Sequence, residues 1–177
     1  MRYALALAAA MAATGASAQS ALDGYYVGAF VGSSSYEGST ALDGERIGLT
    51  VGRSGVFGRF YNGVEFGAAV SSAEATVGAQ TLEEDYEIAA TLRFGYAFNE
   101  RGAIYGKLSA RRVGFSLEGA GVSDSDSYSG LGIGIGGEYA LGNGFGLALE
   151  YDEYEYDIDG VGDLEGSMVS LNIRRGF

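Results

Sequence analysis

Every second residue from Ile88 to Phe98 is apolar: Ile88, Ala90, Leu92, Phe94, Tyr96 and Phe98. The residues between them, Glu87, Ala89, Thr91, Arg93, Gly95 and Ala97, are polar or small. Side chains alternate across a strand, so this segment has one greasy face and one polar face. A helix would need apolar residues three and four apart, and the segment has no such bias. The same period recurs along the chain. Tyr25, Val27, Ala29 and Val31 alternate with Tyr26, Gly28, Phe30 and Gly32, and Ile47, Leu49 and Val51 with Arg46, Gly48, Thr50 and Gly52. Val64, Phe66, Ala68 and Val70 alternate with Glu65, Gly67 and Ala69, while Ile104, Leu108 and Ala110 flank Lys107 and Ser109. Leu131, Ile133, Ile135, Tyr139 and Leu141 flank glycines and Glu138. Leu147, Leu149 and Tyr151 flank Ala148, Glu150 and Asp152, and Val169, Leu171, Ile173 and Phe177 flank Ser170, Asn172, Arg174 and Gly176. Eight extended segments predict an all-β chain.

The connections alternate in length. Asn99-Glu100-Arg101-Gly102 and Gly142-Asn143-Gly144 read as tight turns. The link around Gly55–Asn62 is expected to be a third turn at that end, longer than the other two and of open register. At the other end the links are long and hydrophilic, over Ser33–Gly44, Ser71–Asp85, Glu118–Tyr128 and Glu153–Ser167. Short turns at one end and long loops at the other are the pattern of outer-membrane barrels.

Interior polarity separates a membrane barrel from a soluble one. The larger residues of the non-apolar face are Glu65, Arg93, Lys107, Glu138, Glu150 and Arg174. Turning that face outward would force the aromatic and aliphatic set into a lumen too narrow for it. The sequence therefore predicts an eight-stranded antiparallel up-and-down transmembrane β-barrel, apolar toward lipid and charged within. Tyr25, Phe98, Tyr139, Tyr151 and Phe177 lie near strand ends, where interfacial girdles belong.

Residues 1–18 are set apart as a signal peptide: Arg2, the apolar stretch Leu5–Ala13, then Ala16-Ser17-Ala18, with cleavage expected before Gln19. Residues 19–177 then form one barrel domain. There is no cysteine and no proline, so no disulfide forms and no strand loses a ladder donor to proline. The net charge is −12, and one unit more acidic without Arg2. Such a polyanion does not bind nucleic acid through bulk charge.

The order of these segments resembles the OmpA/OmpX-type eight-stranded outer-membrane barrel family over residues 22–177. The opening strand Gly24-Tyr25-Tyr26-Val27-Gly28-Ala29-Phe30-Val31-Gly32 is similar to that family's first strand. Val64-Glu65-Phe66-Gly67, Leu92-Arg93-Phe94-Gly95-Tyr96 and Gly137-Glu138-Tyr139 are similar to its inner-face patterns. Leu171, Ile173 and the terminal Phe177 resemble the C-terminal signal read by the barrel-assembly machinery. Arg175 departs from that signal, standing where the family has an aromatic or apolar residue. The resemblance implies residence in the bacterial outer membrane and assembly by that machinery.

Three acids and three bases at comparable depth are expected to form a salt-bridge plug, because an unpaired buried charge costs several kcal/mol. A gate opened by exchange of ion partners is the alternative. Enzymes of this size and fold depend on histidine with serine, and the chain has no histidine. No enzymatic activity and no cofactor are expected. The glycines from Gly130 to Gly136 fall every second residue, leaving room for bulky neighbours inside rather than building a phosphate loop. The acidic run Asp152–Asp159, with Glu83-Glu84-Asp85 and Asp124-Ser125-Asp126, is expected as solvated loop, lacking the spacing of a calcium-binding EF-hand. Arg111 and Arg112 fall near the loop end, where they are expected to contact lipopolysaccharide phosphates. Tyr36, Tyr128, Tyr154 and Tyr156 are expected at loop tips, as a contact surface for a partner cell. A monomer in contact with outer-membrane lipid and lipopolysaccharide is the resulting expectation, with an envelope-supporting role, a gated channel and an adhesin as the three functions.

Overall fold

The structure is a computed structural model that describes residues 22–37, 42–77, 80–119, 122–158 and 162–177. The expected signal peptide and the tips of the four long links lie outside the described residues. Every regular element described is a strand: β1 (Gly24–Glu37), β2 (Leu42–Phe57), β3 (Phe60–Ser71), β4 (Glu74–Val77), β5 (Gln80–Ala97), β6 (Gly102–Gly119), β7 (Val122–Gly142), β8 (Phe145–Ile158) and β9 (Gly162–Gly176). Eight of them pair antiparallel with their neighbours in chain order, and β1 pairs with both β2 and β9. That last pairing closes the barrel, and closure removes the sheet edge that hydrocarbon cannot solvate. β4 is additional. It continues the β3 side of the wall along the start of β5 and its ladder to β2 is the single pair Asp43↔Glu74.

The alternation read from the sequence is the alternation of the wall. Ile47, Leu49, Val51, Ile88, Leu92, Phe94, Leu131, Ile133, Ile135 and Leu171 all face outward and exposed. Arg46, Thr50, Glu65, Arg93, Lys107, Glu138, Glu150 and Arg174 face inward and buried. Exposed Tyr25, Phe57, Phe60, Tyr96, Phe98, Tyr139, Leu141, Phe145 and Phe177 ring the turn end, and Tyr86 and Tyr151 stand nearer the loop end.

The link at Gly55–Asn62 is shorter than expected. β2 and β3 pair down to Phe57↔Phe60, leaving Gly58 and Arg59 as the turn. Gly58 takes φ +64°, the left-handed first position of a two-residue hairpin. Asn143 and Gly144 both take positive φ, as an Asn-Gly hairpin turn requires. The Asn99 side chain accepts hydrogen bonds from the amides of Arg101 and Gly102, fixing the third turn.

The four long hydrophilic links are largely strand. β7 runs for 21 residues and β8 for 14, whereas about 9–11 tilted residues cross a membrane. The walls therefore continue past the apolar belt as a narrow extension. The cause is visible in β8, where Asp152, Tyr154 and Tyr156 point inward while Glu153, Glu155 and Asp157 point outward. Alternation persists there with acids, rather than apolar residues, on the outer face. Only the solvent facing that outer side has changed.

Candidate functional site

The lumen holds the chemistry, and it is layered. At the turn end an apolar cap forms from Leu22, Tyr61, Ala97, Ala103, Tyr105 and Ala140, with Tyr61 stacked on Tyr105 at 5.3 Å. Above it all six predicted charges meet. Arg93 bonds Glu65 at 2.5 Å and lies 3.0 Å from Glu150. Arg174 bonds Glu138 and reaches Glu150 at 2.7 Å. Lys107 donates to Glu150 and to Asp152, each at 2.7 Å. Three tyrosine hydroxyls take up remaining lone pairs: Tyr26 donates to Glu65, Tyr61 to Glu138 and Tyr105 to Glu150. Glu65, Glu138 and Glu150 thus each face a cation and a hydroxyl, the condition under which a charge survives burial.

A second network, not among the expected lumen charges, lies toward the loop end. Arg46 pairs with Glu84 at 2.8 Å and Glu87 at 2.9 Å. Arg111 pairs with Glu87 at 3.1 Å, and the Tyr156 hydroxyl donates to the same carboxylate at 2.5 Å. Tyr36 donates to Glu84 and accepts from Arg46. The guanidinium of Arg111 lies 4.6 Å from the centre of the Tyr154 ring. Asp152 stands between the networks, held by Lys107 below and 3.9 Å from Arg111 above. Between them a chamber of about 30 Å³ is bordered by Thr50, Thr91, Ser170 and Asn172. Space of that size suits one or two waters, and Thr50 Oγ1 is buried there without a partner in the protein. Above the second network Tyr36, Leu42, Val113, Phe115, Tyr154 and Tyr156 form an apolar and aromatic cap.

The interior therefore carries five cations and six carboxylates, where three of each were expected. Arg46, Glu87 and Asp152 share the inward parity of their strands, and continuing the alternation finds them. Glu84 is not found that way: the register shifts between Glu84 and Tyr86, and that irregularity turns Glu84 inward.

Two other expectations are corrected by side-chain direction. Arg111 is buried on Glu87 and cannot reach lipid phosphates, because its parity in β6 is that of Lys107 and Ser109. Arg112, its neighbour, is exposed and bonds Ser127. It edges an outward trough of about 1380 Å³ that also touches Ala90, Ala110 and Leu131, with Glu153 and Glu155 on the border. Tyr36, Tyr154 and Tyr156 are not loop-tip contacts but core residues, and Tyr128 packs against them at Phe115. The glycines of β7 do leave room: a Cβ on Gly132, Gly134 or Gly136 would come within 2.6 Å of Ser109, Asp152 or Tyr105. Leu171 and Ile173 face outward on β9, and Phe177, one residue past its end, is exposed.

A closed antiparallel barrel with an apolar outer belt, aromatic girdles and paired charges buried in its lumen is a membrane-spanning β-barrel. The sequence matches the outer membrane protein beta-barrel domain family over residues 4–177, and the chain belongs to that family of bacterial outer-membrane proteins. Among solved structures, the Neisserial surface protein A superposes with a TM-score of 0.68 at 16% identity, covering 86% of this chain and 97% of that one. The attachment invasion locus protein of Yersinia pestis superposes with a TM-score of 0.54 at 15% identity, covering 86% and 99%. The same Yersinia pestis protein in complex with the heparin analogue sucrose octasulfate gives 0.52 at 14%, again covering 86% and 99%. No curated protein matches the sequence.

Proposed function

We propose that this protein is a non-conducting structural barrel of the outer membrane that carries a stiff acidic extension above the outer leaflet. The observation behind this reading is the order of layers in the lumen: an apolar cap at each end encloses both ion networks. A gate that only exchanged ion partners would still leave both caps in the path. The test is planar-bilayer conductance of the refolded chain. The reading expects no steady single-channel current; steady currents from the wild type would defeat it.

Surface contact is a second reading, supported by the filled core that stiffens the extension. The outer face there presents Asp43, Glu45, Glu153, Glu155, Asp157 and Glu165, all exposed. A partner held by this face is cationic, in contrast with the polysulfated analogue bound by the Yersinia pestis protein. Cell-binding assays with and without the extension's outward acids neutralised separate attachment from a purely structural role. A lipopolysaccharide phosphate contact in this reading belongs to Arg112 alone. Unchanged lipopolysaccharide co-purification after Arg112→Gln would remove it.

A further inference from the structure

The exposed charges are sorted by end. Among the described residues, Arg112 is the one exposed cation at the loop end, set among the carboxylates just named. At the turn end Arg53, Arg59 and Arg101 are exposed and Arg175 half-buried, against Asp23 and Glu100. Three of these arginines lie on lipid-facing aromatic rings. The guanidinium carbon of Arg53 is 5.2 Å from the Tyr25 ring centre, that of Arg59 5.6 Å from Tyr96, and that of Arg175 4.8 Å from Phe145. Two of the pairs are direct cross-strand neighbours, Tyr25↔Arg53 and Phe145↔Arg175. Together they occupy one unbroken arc of wall, running through β8, β9, β1, β2, β3 and β5. The Nη1 atom of Arg175 is a buried donor with no acceptor in the protein. Gly144 makes its position possible, since a Cβ there would stand 2.5 Å from it.

We propose that this arc binds the phosphate groups of anionic phospholipids in the periplasmic leaflet. Arg59 Nη1 donates to the Tyr96 hydroxyl. A guanidinium set over a girdle ring is held at headgroup depth, where its remaining N–H groups can meet a phosphate. Its aliphatic stem stays in the apolar belt, so the charge reaches the interface without desolvation. Short turns face the periplasm in barrels of this kind, which puts the arc in the phospholipid leaflet. The acidic extension repels the same headgroups, so the molecule's own charge gradient matches the orientation. The inference rests on the membrane placement and is independent of whether the lumen conducts.

The test compares the wild type with Arg53→Gln/Arg59→Gln/Arg175→Gln, each refolded into vesicles of phosphatidylcholine alone or with added phosphatidylglycerol. The readout is the temperature at which the compact gel form is lost. Both proteins share the acidic end, so their difference isolates the arginines. Phosphatidylglycerol is expected to raise the wild-type midpoint by several degrees relative to the triple variant, and high salt to abolish that difference. Arg112→Gln is expected to behave as wild type. A triple lysine variant is expected to recover only part of the difference, because an ammonium keeps the charge but not the stacking. Equal responses of wild type and triple variant would overturn the proposal, and full recovery by lysine would overturn the role of the rings. If the triple variant does not insert, Arg53→Gln alone carries the comparison, with phosphatidylglycerol retention in native mass spectrometry as a second readout.

Discussion

Arg93 touches Glu65, Glu150 and the Tyr26 hydroxyl, and Glu65 has no other close cation, Arg174 being 3.9 Å away. Arg93→Ala leaves that carboxylate buried and unpaired, at a cost of about 3–5 kcal/mol. Urea unfolding of the refolded barrel measures the loss. Arg93→Met combined with Glu65→Gln is expected to cost much less, and an equal loss in both variants would refute the pairing argument. The glycines make a second residue-scale prediction. Gly134→Ala drives a methyl within 2.5 Å of Asp152 and of the Tyr151 carbonyl, whereas Gly67→Ala meets nothing nearer than 3.6 Å. The first is expected to cost about 1–3 kcal/mol and the second to leave the urea midpoint nearly unchanged. At this scale the sequence was informative wherever parity alone decides: all six predicted lumen charges are inside. It was silent on partners, because Lys107 chooses Glu150 and Asp152 through strands far apart in the chain.

β8 shows how an element can be misread from polarity. Its acidic half looks like loop, yet it pairs with β9 through Tyr154↔Gly166 and Tyr156↔Leu164. Gly166 allows this, since a Cβ there would collide with the rings of Tyr154 and Tyr36. Backbone amides from Asp152 to Tyr156 are therefore expected to exchange with deuterium as slowly as those of the membrane belt. Exchange at loop rates would contradict the extension. The same lesson holds for Gly58-Arg59, where a two-residue hairpin was expected to be a longer turn. Strand ends were hard to place because the usual sign, loss of an apolar face, marks the edge of the lipid here and not the edge of the sheet.

For the molecule as a whole, the outward apolar belt requires an apolar surrounding. The refolded chain is expected to migrate faster unheated than boiled on a denaturing gel, after refolding in detergent or vesicles. A chain that reached the compact form in plain buffer would contradict the membrane placement. The interior predicts the companion result of closure, since two ion networks and two caps stand in series along the lumen, with a chamber of about 30 Å³ between the networks.

The sequence by itself determined which side of each strand meets lipid, because the pleat makes side-chain direction a local, two-residue property. It also determined the fold class, since eight such strands without an edge solution have to close. Tertiary structure alone decided which charges meet and that Glu84 turns inward, whereas Arg111 and the inward tyrosines follow the parity of strands that run further than their polarity suggests. The first two outcomes depend on inter-strand register and on a register shift beside Asp85. Both are set by pairing between distant segments, about which an alternating pattern within one strand carries no information.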